Sequence, residues 1–183
     1  EYPITAAQGT LDTNYTYKFI DAILTITYVD PLTYTLDEAN ATASVTDCET
    51  DYPGYVIIPS TIERDGKTYT VTSIGDYAFW WCTLISEIII PEGIITVGNN
   101  AFSSCTSLTE IIFPDSVISI GEKAFYQCSS LTSAYLGSGI SEIGEDIFIY
   151  SPMLNEILVS ENNTHYQDKE GVLYSKDGTL LIS

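Results

Sequence analysis

The stretch VTSIGDYAFWWCTLISEIIIPEG, residues 71–93, is followed by two others cut to the same measure. They are ITVGNNAFSSCTSLTEIIFPDSV from residue 95 and ISIGEKAFYQCSSLTSAYLGSGI from residue 118. Fixed landmarks give the ruler. Gly75, Gly98, Gly121 and Gly144 are each 23 apart, and so are Phe79, Phe102, Phe125 and Phe148. Cys82, Cys105 and Cys128 keep the same interval, with Ser151 in the fourth place. Self-similarity at a fixed period in the twenties marks a chain built of stacked units, none of which can bury its apolar face alone.

The strand of each unit falls on Glu87 to Ile90 and its equivalents. Period-two alternation sends Ile88, Ile111, Ala134 and Ile157 inward, with Ile90, Phe113, Leu136 and Val159. Two columns then point outward: Glu87, Glu110, Ser133 and Glu156, and beside them Ile89, Ile112, Tyr135 and Leu158. Pro91 or Pro114 ends the strand, and A-F opens a short helical or 3-10 segment with Phe inward. The repeated Gly is expected to permit a bend that a side chain would block. The Phe rings should stack through the core at about 4.8 Å, the spacing of neighbouring strands.

The pattern S-I-G-x-x-A-F-x-x-C-x-x-L-x-x-I-x-I-P belongs to the leucine-rich-repeat class and resembles the BspA-like repeats of secreted and cell-surface proteins. The likeness covers about residues 44–183 and is tightest in the three central units. The Leu position is Ile85 in the first unit, and Ile147 stands where the other units have Ala78, Ala101 and Ala124. The predicted fold is a right-handed leucine-rich-repeat solenoid with a β-rich N-terminal cap and a C-terminal β-hairpin.

Domain limits follow the texture of the chain. Residues 1–43, threonine- and tyrosine-rich and divided by Asp30-Pro31, read as a β-rich cap or hairpin, the first dozen residues being disordered. Residues 44–183 form the repeat domain. Within it lie a half-repeat at 44–60 around Cys48 and Pro59, and a hairpin insertion at 61–70 around Asp65-Gly66. Repeats fill 71–160, and a hairpin at 161–183 turns at Lys176-Asp177-Gly178 to cover the last unit.

Charge narrows the function. Six basic residues against 25 acidic ones give a net charge of −19, which repels phosphate backbones and anionic headgroups. Nucleic acid is excluded as a partner. No apolar run approaches the roughly 20 residues of a membrane span, so the chain is not an integral membrane protein. Fourteen tyrosines, few lysines and no initiator Met suggest an exported protein whose leader has been removed. It would be secreted or held at the cell surface by a lipid or wall anchor outside this sequence.

No constellation points to catalysis. His165 is the sole histidine and has no nucleophile or orienting group at a recognisable spacing. The cysteines read as a buried column of free thiols, and no pair has a metal-ligand spacing. No metal or cofactor is expected, and the chain is not read as an enzyme. The acidic columns Asp76, Glu122, Glu145 and Glu92, Asp115, Glu161 read as solvated surface, a divalent cation being the sharper alternative.

The outward columns are the binding candidates: Glu87, Ile89, Glu110, Ile112, Ser133, Tyr135, Glu156 and Leu158. Contiguous exposed apolar side chains often mark contact surfaces. Trp80 and Trp81 share columns with Ser103, Tyr126, Ile149 and with Ser104, Gln127, Tyr150, so at least one indole should lie outside the core. They are expected to seal the cap by packing on residues 1–60 or the Asp65-Gly66 hairpin, an aromatic binding platform being the alternative. The resemblance implies non-catalytic recognition of an extracellular protein or glycan, in adhesion. The competing reading is a structural spacer that self-associates through the apolar column.

Overall fold

The computed structural model describes the backbone of residues 15–20, 23–28 and 30–182, and side chains over 30–179. The expectation for the first dozen residues lies outside the described residues. β1 (Tyr15–Ile20) and β2 (Ile23–Tyr28) pair as an antiparallel hairpin. A second hairpin joins β3 (Leu32–Asp37) to β4 (Thr42–Cys48). The Asp30-Pro31 break therefore separates two hairpins and is not the turn of one. Asp37 makes the second turn, its carboxylate accepting the Ala39 and Asn40 N–H groups at 3.0 and 3.2 Å.

β5 (Gly54–Ile57) lies in the half-repeat. β6 (Thr61–Arg64) and β7 (Lys67–Ile74) form the hairpin on Asp65-Gly66. Both turn residues have positive φ, 53° and 76°, as a tight two-residue turn requires. β4 runs parallel to β7, so the second hairpin continues into the repeat stack as one sheet.

Long and short strands then alternate. They are β8 (Ile85–Ile89), β9 (Thr96–Val97), β10 (Glu110–Ile112), β11 (Ser119–Ile120), β12 (Ser133–Leu136), β13 (Glu142–Ile143) and β14 (Glu156–Val159). Each unit has three sides: a longer strand, a short strand and a turn segment. On the first side β10, β12 and β14 pair in parallel, Ile111 opposite Ala134 and Ala134 opposite Ile157. On the second, β7, β9, β11 and β13 form a parallel ladder. β15 (Tyr166–Lys169), β16 (Val172–Ser175) and β17 (Leu180–Ile182) make a terminal antiparallel sheet. It covers the last unit, the Ile157 N–H donating to the Gly171 carbonyl at 3.1 Å and the Val159 N–H to Asp168 Oδ1 at 2.8 Å.

The core is the set of inward columns. Ile88, Ile111, Ala134 and Ile157 are all buried, as are Ile90, Phe113, Leu136 and Val159. Phe79, Phe102, Phe125 and Phe148 stack with ring centres 5.1, 5.0 and 5.4 Å apart, close to the strand spacing that sets the rise per unit.

The third side departs from expectation. The A-F segment is not helical; among the described residues no helix occurs. Two residues of every unit are left-handed: Tyr77, Asn100, Lys123 and Asp146, and four positions later Trp81, Ser104, Gln127 and Tyr150. From the first left-handed residue to the second, every other N–H points along the stack instead of along the chain. The N–H groups of Tyr77, Phe79 and Trp81 donate to the carbonyls of Asn99, Ala101 and Ser103 at 2.7–3.0 Å. Asn100, Phe102 and Ser104 repeat this toward Glu122, Ala124 and Tyr126, and Lys123, Phe125 and Gln127 toward Glu145, Ile147 and Ile149. Three chains of amides thus run through four units, satisfying buried polar groups that a helix would satisfy internally.

The glycine column is also corrected. Gly98, Gly121 and Gly144 do not have positive φ. A Cβ at Gly121 would lie 2.6 Å from the Asn99 nitrogen, and one at Gly98 would lie 2.4 Å from the Asp76 nitrogen. Clearance between neighbouring units, rather than a bend, is what demands glycine here.

Candidate recognition surface

The outer strand face is built by the pleat. Inward residues are pinned in the core, so their neighbours are forced out. Ile89, Ile112 and Leu158 are 44%, 52% and 41% exposed, and Tyr135 is half-buried between them. Register places Ile112 beside Tyr135 and Tyr135 beside Leu158. Glu87, Glu110 and Glu156 are exposed in the parallel column, with Ser133 partly covered.

The row is longer than the repeat alone suggests. Ile57 pairs with Ile89 across β5 and β8 and is 43% exposed, adding a fifth apolar residue. Its signal was present in the sequence: Ile57 precedes Pro59 by two residues, as Ile89 precedes Pro91.

One seam interrupts this face. β8 pairs with β5 and β10 with β12, but β8 and β10 share no ladder. At the base of the seam the Thr109 N–H and hydroxyl both reach the Ser86 carbonyl at 3.3 Å. Further along, the Phe113 N–H donates to the Tyr135 carbonyl, whereas the equivalent Ile90 N–H meets no acceptor among the described residues. A cleft of about 450 Å³ opens there, walled by β8 and β10 with Glu87, Glu110, Ile89 and Ile112 at its mouth.

The acidic columns have structural partners. Asp76 Oδ1 accepts the Asn99 N–H at 2.7 Å, Glu92 Oε2 the Ser116 N–H at 3.2 Å, and Asp115 Oδ1 the Ser138 N–H at 2.6 Å. The Ser138 backbone N–H, with its hydroxyl, holds the Asp115 carboxyl below the usual carboxylate range. Each carboxylate thus ties one unit to the next. Among the described residues no group of His, Cys, Asp and Glu is arranged to hold a metal ion. His165 is exposed, its Nδ1 3.1 Å from Thr164 Oγ1.

The four cysteines are free and buried. Cys105 and Cys128 donate to the Phe79 and Phe102 carbonyls, each at 3.1 Å, and burial pushes both thiols up, Cys128 to about 12. Trp80 and Trp81 are 51% and 56% exposed. Their rings meet edge to face at 6.0 Å, and Trp80 meets Tyr77 at 6.3 Å. Trp81 borders a groove with Ser104, Gln127 and Tyr150, its own column. Of the cap partners expected for these indoles, the side chains of residues 1–29 lie outside the described residues.

Among solved structures, a leucine-rich repeat protein from Bacteroides capillosus aligns with a TM-score of 0.66 at 26% identity, over 73% of this chain and 97% of that one. One from Bacteroides ovatus gives 0.57 at 29% identity, over 73% of this chain but only 40% of that one. The leucine-rich repeat protein of T. pallidum, at 24% identity and a TM-score of 0.57 over 72% of this chain and 70% of that one, shares the fold. No curated protein matches the chain. The model of the BspA type leucine-rich repeat region matches in six copies over residues 67–170, more than half of the chain. With strands stacked in register and four units sharing one set of landmarks, the chain belongs to the BspA-type leucine-rich repeat family.

Proposed function

We propose that the chain is a non-catalytic recognition module, secreted or displayed at the cell surface, whose outer strand face holds an extracellular protein in adhesion. The observation that carries this reading is the exposed row Ile57, Ile89, Ile112, Tyr135 and Leu158, continuous except for the seam. An apolar stripe rimmed by carboxylates matches the usual anatomy of a contact surface, a dry centre with a polar rim. Glu87, Glu110 and Glu156, in a chain of net charge −19, favour a partner with basic residues around an apolar patch. Open backbone and a cleft between β8 and β10 supply hydrogen-bonding groups inside the same face.

The test is capture of purified extracellular-matrix proteins by the immobilised chain. Retention of one of them, lost on Ile112→Ser with Tyr135→Ser while the thermal melt is unchanged, supports the reading. Failure of the whole panel, together with a concentration-dependent dimer in light scattering that the same changes dissociate, would replace it with self-association.

A further inference from the structure

The turn side of the stack bears a second, chemically different surface. Trp81, Ser104, Gln127 and Tyr150 occupy one left-handed position in four successive units, with φ between 59° and 65°. Their backbone is held by the amide chains that join the units, so this column stands on a rigid base. Trp81 and Tyr150 close the two ends and are 56% and 64% exposed. Between them runs a shallow groove of about 420 Å³, flanked by Thr83 and Thr106.

We propose that this groove binds an uncharged oligosaccharide, with Trp81 and Tyr150 as stacking platforms for its end sugars. Three properties select that ligand class. The first is charge: none of the residues lining the groove is ionisable as a carboxylate or a base, on a protein of net charge −19. An anionic ligand is repelled by the surrounding field, and a cation finds no counter-charge in the groove.

The second is composition. A sugar presents apolar C–H faces and a rim of hydroxyls, and so needs aromatic faces together with small donors and acceptors. Gln127 offers an amide, held within 3.5 Å of the Ser104 hydroxyl, and each can donate and accept. The hydroxyls of Thr83 and Thr106 have no partner among the described residues. Apolar walls with a few convergent polar groups are the usual make-up of a small-ligand site.

The third is length. With Phe rings rising 5.1, 5.0 and 5.4 Å per unit, three units set Trp81 and Tyr150 about 15 Å apart, against roughly 4.8 Å for one strand spacing. That span fits a short chain of sugars and is too long for a monosaccharide to bridge. Burying part of two large exposed rings supplies the affinity, and the fixed backbone limits the ordering cost. The groove is separate from the outer strand face, so it stands or falls independently of that surface.

Calorimetric titration of the whole chain with cellotriose, chitotriose and mannotriose, each to about 10 mM so that even a millimolar Kd is seen, tests the proposal. Saturable binding of at least one is expected. Trp81→Asn and Tyr150→Asn should each weaken it by at least about tenfold, a loss of 1.4 kcal/mol or more, since asparagine keeps the left-handed backbone but removes the ring. Ile112→Ser, on the other face, should leave the affinity unchanged. Absence of binding by all three sugars, or binding that survives both asparagine variants with an unchanged melt, overturns the proposal.

Discussion

The Ser151 hydroxyl donates to the carbonyl of Phe125 at 2.9 Å, in the place where the preceding units use a thiol. Cys128 and Cys105 make the same bond one and two units earlier. What the position requires is a small side chain with one donor, aimed at the unit behind. Sulfur satisfies it where the position is fully buried, oxygen at Ser151, where the stack nears its end and the position is slightly exposed.

Cys105→Ser should therefore be mild, costing no more than about 1 kcal/mol in urea unfolding, because the hydrogen bond is kept. Cys105→Leu, which overfills a position with no exposed surface, should cost about 2 kcal/mol. A serine variant as damaging as the leucine would show that apolar volume, not the bond, defines the column. None of the four thiols should react with a thiol reagent at pH 8 until the chain is unfolded, since all are buried and Cys128 is raised to about 12.

Two glycines should fail for different reasons. Gly121→Ala places a methyl against the Asn99 backbone and should cost about 2 to 3 kcal/mol, because neither unit can move without disturbing the stack. Gly66→Ala meets nothing within 4 Å but must hold φ at +76°, and should cost about 1 kcal/mol. Gly66→Asn should recover most of that loss, whereas Gly121→Asn should be worse than alanine. Equal recovery at both sites would return the column glycine to a conformational role.

Asp115 carries a pH signature. Its carboxyl is lowered in the folded protein by the Ser138 N–H, so folding favours its charged form. The contribution is present above the unfolded carboxylate value, about 4, and is lost as pH falls through the lower folded value. Wild type should exceed Asp115→Asn in stability at pH 7, and the gap should close as the pH is taken from about 4 toward 2. The absence of any gap at pH 7 would mean that the charge is irrelevant and only the side-chain oxygen, which asparagine keeps, matters.

The strand face and core were legible because burial is written residue by residue. Phe79, Cys82 and Ile88 recur with their unit, and alternation from Ile88 assigns Ile89 to the surface. The turn side was not legible in the same way. Left-handed backbone is normally announced by glycine or asparagine. Here Tyr77, Lys123, Trp81 and Gln127 adopt it, and no shared side chain reports a conformation fixed by hydrogen bonds from the adjacent unit. A-F therefore read as a helix start. The glycine was noticed but misread, since a clash between units involves residues 22 or 23 positions away. The seam between β8 and β10 depends on how two strands sit relative to each other, which no single residue encodes.

The amide chains have an electrical consequence. In each, a carbonyl faces the N-terminal end of the stack and the following N–H faces the other, so peptide dipoles add along the stack much as they add in a helix. Ala78 and Trp80 present carbonyls at one end that no N–H among the described residues meets, and Phe148 and Tyr150 present N–H groups at the other that meet no acceptor among the described residues. The protein is thus polarised end to end, negative beside its tryptophans and positive beside Tyr150. Glu145 and Asp146, at the positive end, are the charges such a field stabilises.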